Sequence, residues 1–381
     1  MPRPRVLLGI HVQTAGRETV PAAVRSVPGL RVGHRDVDVL VVDETPSGRP
    51  GADRLRIECE YLDLGYYRSP RSLGAPRAMN LILLRAMAEG YDHVLATDGG
   101  AVLPLNLVDA LVSVAGADPT AGSVAAWSNA LPLCPLPVTG DPDLADRQDL
   151  VDWVSSELAL EFGPAAVELP ASGGPCLLLP VPAVRAVGLF DPVYGTVSLE
   201  WVDWTMRSRA AGYHAVLAPS SFVLSPGDSG WAGPDRRQLY DQDRVIAFRH
   251  PRYRDEADAF ASSGTPEAVA RRGLRTVLVG AAARHGYEVE VAALDRAVND
   301  DRVVARVAPI GDPPVVAIHF RGFRIEVLVL EGDIGGAILG FFDRPPLNLA
   351  IVDRGPSADW LLSSWHGKVP MSDRHMYPQS V

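Results

Sequence analysis

An α/β protein built on a mostly parallel sheet, with a small β-rich module at its C-terminal end, is what this sequence predicts. Short apolar runs rich in β-branched residues at 6–10, 37–42 and 93–96 alternate with stretches of helical spacing at 19–27 and 76–89. Strands alternating with helices give a parallel sheet. The runs stop at polar or glycine residues, and the carboxyl ends of the strands are where such sheets bind ligands. Beyond residue 300 the character changes: 303–307, 315–320, 323–330, 337–342 and 349–352 read as successive strands, with turns such as Gly311-Asp312-Pro313 between them.

Between these ends, 130–143 is dense in Pro and Gly and reads as a long loop over the sheet, 149–162 as a helix and 176–179 as another buried strand. The polar stretch 225–243 reads as the end of the first domain or a flap over it, and 266–285 as a helix. The expected division is one domain over 1–262 and a helix plus β-rich module over 263–381.

The 381 residues, 47% of them hydrophobic, can bury a full core. With 36 basic against 46 acidic residues the net charge is -10, which repels phosphate backbones and speaks against a nucleic-acid partner. A local group of arginines could still hold a nucleotide diphosphate. Lys368 is the only lysine, which fits a GC-rich coding bias as readily as selection for bidentate anion binding. The first apolar run is short and is broken by His11 and Gln13, so no signal peptide is expected. No run approaches membrane-spanning length. Cys59, Cys134 and Cys176 are odd in number and widely spaced, matching neither a zinc site nor a disulfide framework. Free thiols in a cytoplasmic protein are the expectation.

The residues at the predicted strand ends carry the chemistry. Asp43 and Glu44 follow the run 37–42, where an acceptor can take the imino hydrogen of a pyrimidine base, although an acidic turn after a strand is common. Asp98 stands in the same relation to its strand, and Gly99 and Gly100 after it allow close backbone approach by a ligand. Gly173 and Gly174 precede the run 176–179. Glu200 and Asp203 begin a predicted helix that ends near Gly212, and three residues apart they share a helical face. They also oppose the helix dipole favourably there, and both readings can hold at once.

Taken in order, these pieces resemble the inverting GT-A glycosyltransferases of family 2, whose fold is a Rossmann-like, mostly parallel sheet. The family's first strand ends in a turn matched by Ile10, His11 and Val12, and its second ends in an acidic segment matched by Asp43, Glu44, Thr45, Pro46 and Ser47. Its Gly, Asn and helix leading to a DxD strand correspond to Gly74, Arg77, Asn80 and then Asp98. The acceptor half is matched by Gly174, Val187 to Asp191, Glu200 to Asp203, and Ala211, Gly212 and Tyr213, so that the resemblance covers about residues 5–260. It implies that His11, Val12, Asp43 or Glu44 hold base and ribose, with Arg77 near the nucleotide and Asp98, Gly99 and Gly100 near ribose or diphosphate. Gly173, Gly174 and Trp201 would line the acceptor side, and the Glu200 segment would supply the base for a direct displacement at the anomeric carbon.

Three departures fall on the chemistry itself. The second Asp of the DxD is Gly100, the Asp that serves as base is Trp201, and a metal-binding His after a later strand aligns with Ser225. Asp98 is the remaining candidate ligand for Mg or Mn, and one carboxylate makes a poor site for either. The reading is a hexosyltransferase-like enzyme with weak or no metal dependence, Glu200 or Asp203 serving as base. Its donor would be a UDP- or dTDP-linked sugar and its acceptor a small molecule of specialised metabolism. The alternative is a catalytically diverged domain that binds a nucleotide or sugar or serves in assembly, and the C-terminal module is a candidate surface for a homodimer.

Overall fold

The computed structural model describes residues 3–13, 20–33, 36–46, 48–138, 147–194, 199–225, 236–294, 302–309, 315–329, 333–353 and 355–365. The chain divides into two compact units, one of residues 1–136 and 142–269 and one of 137–141 and 270–381. Thr19, residues 226–235 of the polar stretch and the turn at Gly311 to Pro313 lie outside the described residues.

The first unit is α/β. Its elements run β1 (Val6–Val12), α1 (Ala22–Gly33), β2 (Val37–Asp43), α2 (Pro50–Tyr61), β3 (Gly65–Arg68), α3 (Ala75–Glu89), β4 (His93–Asp98), α4 (Leu107–Ala117) and β5 (Ala121–Ser128). They continue with α5 (Gln148–Phe162), β6 (Val167–Leu169), β7 (Cys176–Pro180), α6 (Val181–Val187), α7 (Leu199–Ala210), β8 (His214–Val223), α8 (Arg236–Arg249) and α9 (Tyr253–Ser262). The eight strands order as β3-β2-β1-β4-β7-β5-β8-β6. All neighbours are parallel except β7, which runs against β4 and β5, and β6, which runs against β8 at the edge.

The central strands are continuous apolar runs because both sheet faces are covered, as parallel sheets require: every residue of β1 is buried. Their core gathers Leu8, Ile10, Val39, Val41, Leu95 and Leu178 with Val24 and Val27 of α1 and Leu107 and Leu111 of α4. Helix α3 buries Met79, Ile82, Leu83 and Ala86, one stripe at helical spacing, and leaves Arg77 exposed. Helix α7 differs, since all six residues from Glu200 to Thr205 are buried. An acid in its first turn is therefore an acid in the core.

In the second unit, α10 (Thr265–His285) begins within the last residues of the first unit and leads to a mixed sheet of β9 (Tyr287–Val291), β10 (Val303–Val307), β11 (Val315–Phe320), β12 (Phe323–Leu328) and β13 (Asn348–Ile351). The order is β12-β11-β10-β9-β13, with β9 parallel to β10 and β13 and the other pairs antiparallel. Two further helices, α11 (Ile334–Phe342) and α12 (Pro356–Trp365), make the module α/β as well as strand-rich. The strand expected over 337–342 is α11. Its apolar residues bury at helical intervals, Ile334, Ile338, Phe341 and Phe342, and the Asp333 carboxylate accepts from the Gly336 N–H at 2.8 Å, a side-chain N-cap that a strand has no use for. Residues 236–243 of the expected flap are likewise helical, the first half of α8.

Candidate active site

Strand register places the predicted donor residues in one row. Val12 pairs with Asp43, Asp43 with Arg68, and His11 with Asp98, all at the carboxyl ends of β1, β2, β3 and β4. The turn at 171–175 meets this row at β4, where the Asp98 N–H and the Thr97 hydroxyl both donate to the Pro175 carbonyl, at 3.3 and 2.8 Å. Gly99 is required by close approach: a Cβ there would lie 2.9 Å from Val12 Cγ2. Gly174 has φ +97°, backbone that an L side chain rarely adopts, and it packs on Leu131, while Gly173 faces Pro132.

The acidic groups of the edge are satisfied from within. Asp43 is fully buried, its carboxylate accepting from the Thr45 N–H at 2.8 Å and the Tyr66 hydroxyl at 2.6 Å. Glu44 meets His11 Nε2 at 2.8 Å through one oxygen, and through the other accepts from the Ser72 hydroxyl and the N–H groups of Leu73 and Gly74 at 2.9 to 3.2 Å. Burial pushes the Glu44 carboxyl up, but the His11 contact and these hydrogen bonds outweigh it and hold it below the ordinary range. Glu44 thus fastens the loop before α3, where the exposed Arg77 uses one guanidinium nitrogen on the Leu73 carbonyl. Asp98 accepts from the Gly100 N–H at 2.8 Å, and burial raises its carboxyl against the pull of the Gly100 and Ala101 backbone.

Helix α7 contains two acids with opposite surroundings. Asp203 is saturated: Tyr194 Oη and His250 Nε2 lie 3.0 Å from one oxygen and Arg207 Nε 2.9 Å from the other, with Arg249 3.5 Å away. Burial works to raise its carboxyl, and the bonds from His250, Arg207 and Tyr194 overcome that and keep it low. Glu200 is 4% exposed, and its Oε2 has no hydrogen-bond partner among the described residues. Burial pushes its carboxyl up to about 8, opposed only by its own backbone N–H.

Between them, the Trp201 indole is 7% exposed and packs edge-to-face on Phe190 at 4.7 Å. Asp203 has both oxygens engaged, by three hydrogen bonds and the Arg249 ion pair.

A divalent cation finds little to hold it at the DxD position. Gly100 has no side chain, the backbone of Ser225 is clamped by the Asn129 amide in both directions at 2.8 and 2.9 Å, and Asp98 is left as a single carboxyl already bonded to the turn. Among the described residues no three His, Cys, Asp or Glu gather as a ligand set. Asp98 could supply one carboxylate, so a Mg or Mn ion here would take most of its oxygen ligands from a bound diphosphate and water.

Sequence reasoning passed over the residues that build these surroundings: Tyr66, Ser72, Asn129, Tyr194, His250 and the amide of Asn80. Only Asn80 carried a signal, since it stands in the matched motif without a role assigned to it.

No protein-family model matches the chain, and no curated protein matches it. Solved structures similar to it are glycosyltransferases. The mannosyltransferase PcManGT from Pyrobaculum calidifontis, solved with GDP-Man and Mn2+, is 20% identical over 74% of this chain and 76% of its own, with TM-score 0.42. GalNAc-T7 with UDP, GalNAc and Mn2+ is 14% identical over 66% of this chain and 50% of its own, with TM-score 0.49. S. aureus TarS 1-349 with UDP-GlcNAc is 14% identical over 71% and 72%, with TM-score 0.43. At these identities the likeness is one of chain path.

Proposed function

We propose that the first unit is a nucleotide-sugar glycosyltransferase domain in which Glu200 is the general base. The observation that carries this reading is the Glu200 carboxyl, buried in the first turn of α7 with one oxygen unpartnered and its pKa raised to about 8. An unpaired buried acid costs stability, and perturbed acids of this kind gather at sites of proton transfer. At pH 7 roughly a tenth of it is ionised, and the ionised form is a stronger base than an ordinary carboxylate.

In the reaction proposed, the donor is a UDP- or dTDP-linked hexose and the acceptor a small molecule of specialised metabolism. The acceptor hydroxyl gives its proton to Glu200 as its oxygen attacks the anomeric carbon. The bond from that carbon to the diphosphate breaks on the opposite face, which inverts the anomeric configuration. The departing diphosphate keeps the electron pair, and its charge is met by the free guanidinium nitrogens of Arg77 and by backbone N–H groups of the glycine-containing turns. Three buried free thiols, all raised by burial, suit a reducing, cytoplasmic setting. No helix among the described residues is long and apolar enough to cross a membrane.

Glu200→Gln, assayed against a panel of UDP- and dTDP-sugars and acceptors, is expected to lower turnover by about two to four orders of magnitude. Donor affinity should stay within a few-fold. Wild-type turnover in that variant overturns the assignment. A second reading, a diverged domain that binds a nucleotide without transfer, draws on Asp43 and Glu44, whose oxygens are already engaged by the protein. It predicts donor binding with no acceptor-dependent release of nucleotide under any condition tested.

A further inference from the structure

The segment from Val187 to Phe190 is held from two sides. From α7, Arg207 donates to the carbonyls of Val187 and Leu189 at 2.9 Å each, and the Trp204 indole N–H donates to Gly188 at 2.8 Å. From α3, the Asn80 side chain closes a two-point clamp on Phe190: Nδ2 donates to its carbonyl and Oδ1 accepts from its N–H, both at 2.9 Å across 110 positions of sequence. The Phe190 ring, thus fixed, packs on Trp201 at 4.7 Å and on Trp204 at 6.1 Å. Trp201 follows Glu200 in the first turn of α7, and both are buried there. A chain of rigid contacts therefore runs from the donor-side helix α3, whose start is fastened by Glu44, to the first turn of α7.

We propose that Asn80 is a positioning residue which, by clamping Phe190 against Trp201, closes the wall that keeps water from Glu200. The inference rests on the reading of Glu200 as the base, and it explains why an amide is used. A carboxamide offers a donor and an acceptor side by side on one planar group, independent of pH, to meet the N–H and carbonyl of one residue. Water exclusion is the lever because no charged neighbour contributes to the Glu200 shift. On the same helix, Asp203 gathers Arg207 together with Arg249 at the end of α8 and His250 just past it.

The test reads Glu200 directly and needs no acceptor. The protonated-carboxyl infrared band, assigned by its loss in Glu200→Gln, is titrated from pH 4 to 10 in the wild type, in Asn80→Leu and in Phe190→Leu. Phe190→Leu keeps the backbone clamp and removes the ring, so it carries the test even where Asn80→Leu fails to fold. The wild type should titrate near 8, and each folded variant at least about one pH unit lower, toward the ordinary carboxyl value near 4.3. Circular dichroism and thermal melting confirm that the fold is kept. A wild-type midpoint near 8 that is unmoved in folded Asn80→Leu or in Phe190→Leu overturns the positioning role and leaves Glu200 as the base. An ordinary midpoint in the wild type overturns both.

Discussion

The carboxyl edge of the eight-stranded sheet and the first turn of α7 both bury carboxylates, and they treat them differently. At the edge, Asp43 and Glu44 have every oxygen bonded, to Thr45, Tyr66, His11, Ser72 and the 73–74 backbone. In α7, Asp203 follows the same pattern, but Glu200 three residues earlier does not. Two acids of one helical turn thus have carboxyls displaced in opposite directions by their surroundings. Satisfied buried carboxylates fasten loops and helices. The unsatisfied one costs the fold stability, and that is the expected signature of a group kept for chemistry.

The loss of turnover in Glu200→Gln is the largest effect this contrast predicts. Next comes the pH dependence of stability. The folded carboxyl of Glu200 lies near 8 against about 4.5 in the unfolded chain, so between these values the unfolded state is ionised while the folded state is not. The unfolded state then binds fewer protons, and stability falls as pH rises through that window. For one group with this displacement the fall is on the order of 4 kcal/mol. Glu200→Gln removes it, so in urea melts the variant should gain on the wild type from pH 5 to about pH 8 and level off above that. Parallel profiles for the two proteins would show that Glu200 is not buried as a neutral acid.

Asp203 sharpens the same comparison from the other side. Asp203→Asn keeps the shape and withdraws the charge from Arg207, Arg249 and His250, two of which are about a third exposed and can recover water. The expected cost is about 2 kcal/mol of stability at pH 7, the ordinary worth of charge-assisted hydrogen bonds, with turnover reduced less than tenfold. A stable but inactive Asp203→Asn would exchange the roles of the two acids.

How much of this could be read in advance depended on distance along the chain. Strands β1, β2, β4 and β7 were legible because a fully covered parallel sheet writes its strands as unbroken apolar runs. Strand β8 was not, since it contains Pro219, which ordinarily demotes a strand. The structure accommodates it with a register shift: Ala126 pairs with Ala218 but Trp127 with Phe222, leaving 219–221 unpaired against β5. Strand β9 was passed over although Tyr287, Val289 and Val291 alternate with Glu288 and Glu290, and α11 is apolar all through, where periodicity alone does not separate strand from helix. At the site, the acids were visible but their roles were not. Tyr194 and Arg207 lie close to Asp203 in sequence, yet His250 is 47 positions away, Glu44 reaches 28 to 30 positions to its loop, and Asn129 reaches 96 to Ser225. Only the folded contacts show which carboxylate was left over.

The smallest effect expected is that of a divalent metal on donor binding, and it tests the edge rather than α7. A cation bridging a diphosphate draws on one or two protein carboxylates beside phosphate and water. Here Gly100 supplies none, the Ser225 backbone is closed by Asn129, and Asp98 is the carboxyl that remains, raised by burial and bonded to the Gly100 N–H. Any metal that arrives with the donor would then be held chiefly by phosphate and water, and the protein would feel it little. Titrating a UDP- or dTDP-sugar by calorimetry in EDTA and in Mn should give affinities within about five-fold, less than 1 kcal/mol. Asp98→Asn should change that ratio no further. A hundred-fold gain in Mn that Asp98→Asn abolishes would show that the edge completes a metal site once the donor is bound, and the edge would then join α7 as a seat of chemistry.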